Sequence, residues 1–377
     1  MDTTALFRWL HSTMATPAGA AGRRILRFQS PGEYRAFAAA WATLAHPQSY
    51  FPEVKPLPLI NGIACPAVSS PPPTAGFRLT QEEDPEVALL GTVQKRSVGA
   101  DKGIPWGVQH VRAPYAWSRT TGHRIKIGVI DTGVDFGHPD LAGSLARGIN
   151  LLSRGSAPHD DNGHGTHIAG TIAAANQPKG MIGVAPRSIV HPVKAFDHNG
   201  SAYVSDIILG IEWCVRNRLH IINMSFGMKN RSKALLGAVN HAYHAGIVIV
   251  ASSGNDGKRK SIDYPARYPQ TISVGATNRL RRIAPFSNRG SYIDIYAPGD
   301  KIHSAWLKGA YHEMSGTSMA TSHVSGAIAL LLAERPGLAP AEIKAILRRA
   351  MQPIRGQKSS RMAGELDIVK MLQAADR

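Results

Sequence analysis

An aspartate, a histidine and a serine each stand among small residues in three short segments. These are Val129-Ile130-Asp131-Thr132-Gly133, Asn162-Gly163-His164-Gly165-Thr166-His167 and Ser315-Gly316-Thr317-Ser318-Met319-Ala320. An acid, an imidazole and a hydroxyl are the parts of a nucleophilic hydrolase. The hydroxyl attacks a carbonyl, the imidazole takes its proton, and the acid orients the imidazole. Asp, His, Ser is one of the chain orders in which that geometry occurs. A fourth segment, Ser252-Ser253-Gly254-Asn255-Asp256-Gly257, offers the Asn255 side-chain amide to a developing oxyanion. The Ser318 backbone N–H would be the second donor.

Each segment taken alone has a plainer reading. Asp-Thr-Gly also occurs in aspartic proteases, but that chemistry needs a second such Asp and an all-β context. A strand-end Asp can equally be a turn residue. His164 and His167 are three apart, and no His-Glu-x-x-His pattern or nearby cysteine completes a metal site. Gly-Thr-Ser-Met-Ala can be a helix cap, and Asn beside Gly a turn.

The elements that must position these groups follow from periodicity. Ile125–Ile130 is a β-branched apolar run, the mark of a strand buried on both faces. Further strands are expected at 190–195, 221–224, 247–251 and 271–274. Helices are expected at 164–175, 204–216, 233–245, 318–334, 341–350 and 366–375. The long helix ends at Arg335-Pro336-Gly337. This alternation predicts an α/β fold of three αβα layers around a mainly parallel sheet. Functional groups then gather at the carboxyl ends of the strands, where Asp131 stands. Before it lies a smaller α+β unit over residues 23–96. Its parts are a strand at 24–28, a helix opened by the capping box Ser30-Pro31-Gly32-Glu33, a strand or pair at 57–67, and a short element at 85–93. Residues 1–22 read as a loose tail, 97–103 as a linker, and 104–377 as the large domain.

The chain carries 43 Lys and Arg against 26 Asp and Glu, a net charge of +17. The basic residues are scattered, without an interleaved aromatic platform, so a solvated basic surface is expected rather than a nucleic-acid site. No apolar run approaches the roughly 18 residues that span a bilayer. Cys65 and Cys214 fall in different units, so no disulfide framework is implied. The N-terminus does not read as a signal peptide, since Arg8 breaks its apolar stretch.

The four segments together resemble the subtilisin-like serine proteases, the subtilases. From Asp131 to His164 to Asn255 to Ser318 the intervals are 33, 91 and 63 residues. The likeness extends through Ile104-Pro105-Trp106-Gly107, His138-Pro139-Asp140-Leu141, Gly183-Val184-Ala185-Pro186, Ile222-Asn223-Met224-Ser225 and Ala297-Pro298-Gly299. It implies a serine endopeptidase acting through an acyl-enzyme, with Ser318 as nucleophile, His164 as base and then acid, Asp131 as its orienting carboxylate and Asn255 as oxyanion donor. By the same resemblance, Gly200, Ser201, Ser225, Phe226, Gly227, Gly254 and Asp256 contact an extended peptide substrate bound as an added strand. Asp256 matches an acidic position near the base of the main pocket, a candidate acceptor for a basic side chain. Tyr264-Pro265 matches a cis-proline site.

The resemblance further implies a structural calcium ion held by Asp140, Ala175, Gln177, Lys179 and Met181, with Lys179 giving only its carbonyl. It makes the small unit an inhibitory propeptide and folding aid, removed by self-cleavage within 94–102. Expected partners are protein or peptide substrates and this propeptide, with a monomeric enzyme. The compartment stays open. So long a propeptide resembles those of exported subtilases, while the missing signal peptide points to the cytoplasm.

Overall fold

The computed structural model describes residues 2–14, 22–67, 76–90, 95–98, 103–175, 180–356 and 363–376, with the backbone alone at 13–14 and 95–98. The large unit is built on a seven-stranded sheet. In spatial order its strands are Ile295–Pro298, Thr271–Thr277, Val248–Ser252, Ile221–Met224, Lys126–Asp131, Ile189–Lys194 and Ile149–Asn150. Every pairing in it is parallel. The central strands are buried on both faces, as their unbroken apolar runs require. Helices His164–Ala173, Thr317–Glu334, Pro340–Ala350 and Ile368–Ala375 share one core with one face. Helices Val204–Arg216 and Lys233–His244 share a second core with the other. The expected three-layer αβα architecture is therefore the observed one.

Strand order reverses at Lys126–Asp131. The chain first adds strands on one side of it, at Ile189–Lys194, and then on the other, from Ile221–Met224 onward. Such a switch point opens a crevice at the carboxyl ends of the strands. Asp131 closes one of these strands and Ser225 follows another. Met224 pairs with Ile130, which sets Ser225 beside Asp131.

The small unit is a four-stranded antiparallel sheet in the order Lys55–Leu57, Gly62–Pro66, Arg23–Phe28, Leu79–Glu83. The helix Pro31–Thr43 opens with the expected capping box: the Ser30 hydroxyl accepts from Glu33 N–H at 3.2 Å and Glu33 accepts from Ser30 N–H at 3.1 Å. Two expectations fail here. Residues 1–22 are not all tail, because Thr3–Met14 is a helix. Leu6 and Leu10, one turn apart, are fully buried against Leu26, Phe37 and Ile63. Burying each such side chain is worth about 1.5–3 kcal/mol, enough to hold a short helix that propensity alone would not. The expected boundary between the small unit and the linker at 96/97 instead falls inside a strand, Lys95–Val98, antiparallel to Tyr311–Met314.

The sheet of the small unit packs on helices Val204–Arg216 and Lys233–His244 through Ile25, Leu57, Ile60 and Ala64. Two of its acids cap those same helices. The Glu82 carboxylate accepts from Lys233 N–H at 3.0 Å and Ala234 N–H at 2.6 Å. Asp84 accepts from Ser205 N–H at 2.9 Å and the Ser205 hydroxyl at 2.7 Å. A carboxylate there satisfies orphan N–H groups and meets the positive end of the helix dipole. Both cysteines are free and buried, so no disulfide joins the units. Burial pushes the Cys65 thiol up to about 12 and raises that of Cys214 as well. Among the described residues no helix is long and apolar enough to cross a membrane.

Candidate active site

Asp131 is fully buried at its strand end. Its carboxylate lies 2.8 and 2.9 Å from His164 Nδ1. A carboxylate only accepts, so the proton sits on Nδ1 and leaves Nε2 as the basic nitrogen. Asp131 Oδ1 also accepts from Thr132 N–H at 2.8 Å, which fixes the acid before the imidazole meets it.

His164 opens the helix His164–Ala173, and its two neighbouring glycines are sterically required. A Cβ on Gly165 would fall 2.2 Å from the Gly133 carbonyl oxygen. Gly163 has φ +102 and is pressed against Trp306, where a Cβ would fall 2.2 Å from the ring. Asp160 secures the turn. Its Oδ1 accepts from the N–H groups of Asn162 and Gly163, and its Oδ2 from Thr166 N–H and Oγ1 at 2.9 and 2.6 Å. Burial pushes the Asp160 carboxyl up, but these bonds outweigh it and hold it below the usual range. A lowered folded-state value stabilises the fold above the unfolded value of about 3.9 and is lost as pH falls through the folded value. Asp160→Ala should therefore cost about 1–2 kcal/mol at neutral pH. In thermal melts on an inactive background its deficit should shrink below about pH 4.

Ser318 is fully buried in the first turn of the helix Thr317–Glu334. Its hydroxyl donates to the Ser225 carbonyl at 3.0 Å. His164 Nε2 is buried and makes no hydrogen bond among the described residues. The acid–imidazole pair is thus closed, while the hydroxyl rests on the strand end next to Asp131. Asn255 Oδ1 accepts from Thr317 N–H at 2.9 Å and Thr317 Oγ1 at 2.8 Å. This orients the amide so that its Nδ2 comes within 3.1 Å of where a Cβ on Gly316 would stand. Nδ2 and the first-turn amides then border one point, as an oxyanion requires. His167 does not join His164 as a metal ligand. Its Nε2 faces the Ile302 carbonyl at 3.0 Å, and burial drives its pKa down to about 3.

The two edges expected to bind a peptide are occupied. Strand Glu86–Leu89 of the small unit lies antiparallel between Ser201–Tyr203 and Phe226–Gly227. Ala202 pairs with Val87, Gly227 with Ala88 and Phe226 with Leu89. Leu89 N–H donates to the Gly200 carbonyl at 2.9 Å. Val87 is buried in the same core as Ala202, Val204 and Phe226. The expected residues Gly200, Ser201, Phe226 and Gly227 thus flank one added strand, and Ser225 directly precedes that edge. Gly254 and Asp256 flank Asn255.

Asp256 is not a lone acid. It is ion-paired with Lys229 and accepts from Asn288 Nδ2 at 3.3 Å; the Lys229 hydrogen bond holds its carboxyl below the usual range. Tyr264-Pro265 is cis, as the resemblance implied. Of the calcium candidates, Asp140 is buried, and its Oδ2 accepts from Met181 N–H at 2.9 Å and from Tyr311 OH at 2.8 Å. Ala175 N–H donates to the Asp140 carbonyl at 2.9 Å. Gln177 and Lys179 lie outside the described residues.

Several residues of the site escaped sequence reasoning. Lys194 is buried beside Asp131 and bonds the Thr132 carbonyl and Asp161, each at 2.7 Å. Lys229 and Asp263 meet behind the cleft at 2.7 Å. The Asp160-Asp161 pair ahead of Gly-His-Gly was a usable signal for a cap. Nothing local marks the two lysines.

Known proteins place this geometry. The sequence model described as the subtilase family matches residues 122–365. The chain is 43% identical over 248 residues to a subtilisin of Bacillus pumilus, covering 64% of this chain and 90% of that protein. It is 41% identical over 270 residues to subtilisin E of Bacillus subtilis, covering 70% of each. A thermostable alkaline protease of Halalkalibacterium halodurans is 40% identical over 264 residues, covering 70% of this chain and 72% of that protein.

Proposed function

The chain belongs to the subtilase family and is a serine-type endopeptidase, and we propose that it is made as a zymogen that cuts itself between Leu90 and Gly91. The observation that carries this reading is the strand in the cleft. Phe226 pairs with Leu89 and Gly227 with Ala88, so the register continues to Ser225 opposite Leu90. Ser225 is the residue whose carbonyl holds the Ser318 hydroxyl. The carbonyl of Leu90 is then the one presented to the nucleophile. This moves the cut upstream of the 94–102 segment to which the sequence pointed.

In this reading Ser318 Oγ leaves the Ser225 carbonyl, a change between staggered rotamers, and gives its proton to His164 Nε2 as it attacks. Contacts of this kind tighten when substrate is bound. Asp131 keeps the Nδ1 tautomer and stabilises the imidazolium. Asn255 Nδ2 and the Ser318 N–H receive the oxyanion, and His164 returns the proton to the leaving amine. The small unit stays in the cleft as a product-like inhibitor, held by Glu82 and Asp84. A fluorophosphonate should label Ser318 of the mature protein, and the mature N-terminus should read Gly91-Thr92-Val93. Sequencing a chain that begins elsewhere would refute this cut. Reading the medium and the lysate separately assigns the compartment, which the long N-terminal unit suggests is outside the cell.

A structural calcium ion is proposed at Asp140. The buried Asp140 carboxylate is the hard oxygen donor such an ion needs; the carbonyls of Ala175 and Met181 would join it, and Gln177 and Lys179, which the resemblance adds, lie outside the described residues. The ion would tie the loop after the His164 helix to Asp140. At a hundredfold excess over its Kd, calcium would add about 2.7 kcal/mol. Chelation should therefore lower the Tm of the inactive, uncut protein by roughly 3–4 °C, and calcium should restore it. Identical melting with and without chelator would remove the ion from the account.

A further inference from the structure

Asp263 stands behind the cleft with a carboxylate that the protein satisfies only in part. It is 1% exposed. Its Oδ1 accepts from Lys229 Nζ at 2.7 Å. Its Oδ2 is buried and has no hydrogen-bond partner among the described residues. Native structures seldom leave a buried carboxylate oxygen without a donor, so this one calls for an explanation.

Two glycines fix where that oxygen points. A Cβ on Gly254 would stand 2.6 Å from Asp263 Oδ2, and one on Gly227 would stand 2.9 Å from it. Gly227 forms one edge of the cleft, and Gly254 precedes Asn255. Leu90 reaches the same place from the substrate side, its Cδ2 3.2 Å from that Cβ position on Gly227. The side chain ahead of the proposed cut and the Asp263 carboxylate therefore converge on one glycine. The backbone that carries it is anchored: Asp263 N–H donates to the Ser253 carbonyl at 3.1 Å, and the next residue, Tyr264, exchanges two backbone hydrogen bonds of 2.9 Å with Met228. The local charge is unbalanced too. Asp256 and Asp263 share the single cation of Lys229, and Lys258 acts on both only from an exposed position.

We propose that Asp263 is a specificity-determining residue, whose Oδ2 receives the guanidinium or ammonium group of an Arg or Lys immediately before the scissile bond. Lys229 holds the other oxygen and so competes with a substrate cation for the carboxylate. A charge-assisted bond to a buried carboxylate discriminates strongly, because an apolar side chain leaves that oxygen without a donor. The inference rests on the reading that Leu90 marks the primary pocket. Leu90 fills the pocket without satisfying Oδ2. It needs no better fit, since tethering supplies the effective concentration for a cut within one chain. The same mismatch weakens the hold on the product, which favours release of the small unit.

The test uses the mature enzyme and four chromogenic tetrapeptide amides that differ only in the last residue, Arg, Lys, Leu or Phe. Expected is a kcat/KM for Arg and Lys at least about tenfold above that for Leu. Asp263→Asn should lower the Arg and Lys values by roughly 10- to 100-fold and leave Leu within about twofold. Lys229→Met, which unmasks both acids, should raise the Arg-to-Leu ratio further and serves if the asparagine variant does not fold. Wild-type preference for Leu or Phe would overturn the proposal. So would an equal loss on all four substrates in Asp263→Asn, or an Arg-to-Leu ratio unmoved by Lys229→Met. No turnover of any substrate together with no fluorophosphonate label would instead sink the endopeptidase reading beneath it.

Discussion

Ser318→Ala should abolish peptide-bond hydrolysis and leave the chain uncut at its full 377 residues. The expected fall in kcat is about a million-fold, the loss a subtilisin suffers when its triad serine is removed. The variant should nonetheless fold. Ser318 lies within a helix, where alanine is favourable, and its hydroxyl makes one bond, to the Ser225 carbonyl. Activity and stability should therefore separate, with melting within a few degrees of a chelation-matched, inhibitor-blocked wild type. Because the three residues act as one device, adding His164→Ala to Ser318→Ala should cost almost nothing more. Turnover of a peptide amide and the intact mass of the purified protein check both halves. A Ser318→Ala protein that still matures would mean another nucleophile.

The legibility of this chain was uneven, for physical reasons. Asp131, His164, Asn255 and Ser318 were readable because each sits in a local device with a strict sequence signature. A strand must end in a tight turn, and Gly163 and Gly165 must be glycines where Trp306 and Gly133 press on them. The central strands were readable because burial on both faces forces runs such as Ile127–Ile130. Strands Ile302–Ala305 and Tyr311–Met314 escaped because their polar members His303, Ser304, His312 and Glu313 break the apolar pattern. Helix Thr3–Met14 escaped because its burial depends on a small-unit core assembled by residues up to 77. The Lys229–Asp263 pair spans 34 positions and is made by two loops. Nothing in either loop names the other. The cleft strand is a similar case: Glu86–Leu89 carries no signal stronger than a short apolar run, and its place is set by edges more than 100 residues away.

Asn255→Ala should give the second-largest defect, and its interpretation turns on the two ends of one amide. Nδ2 is the proposed oxyanion donor, while Oδ1 holds Thr317 through two bonds at the start of the Ser318 helix. Alanine removes both functions, so a loss alone does not separate charge stabilisation from displacement of the nucleophile. Thr317→Val separates them, since it deletes the Oγ1 bond but keeps Asn255 and its Nδ2. If the donor carries the effect, Asn255→Ala should lower kcat by roughly 100- to 1000-fold with little change in KM, the range known for such a donor in a subtilisin. Thr317→Val should lose no more than about tenfold. Maturation at Leu90 should slow in the same proportion as peptide turnover, because one oxyanion site serves both. Equal defects in the two variants would reduce Asn255 to a support for the helix start. A normal kcat in Asn255→Ala would place the second donor elsewhere.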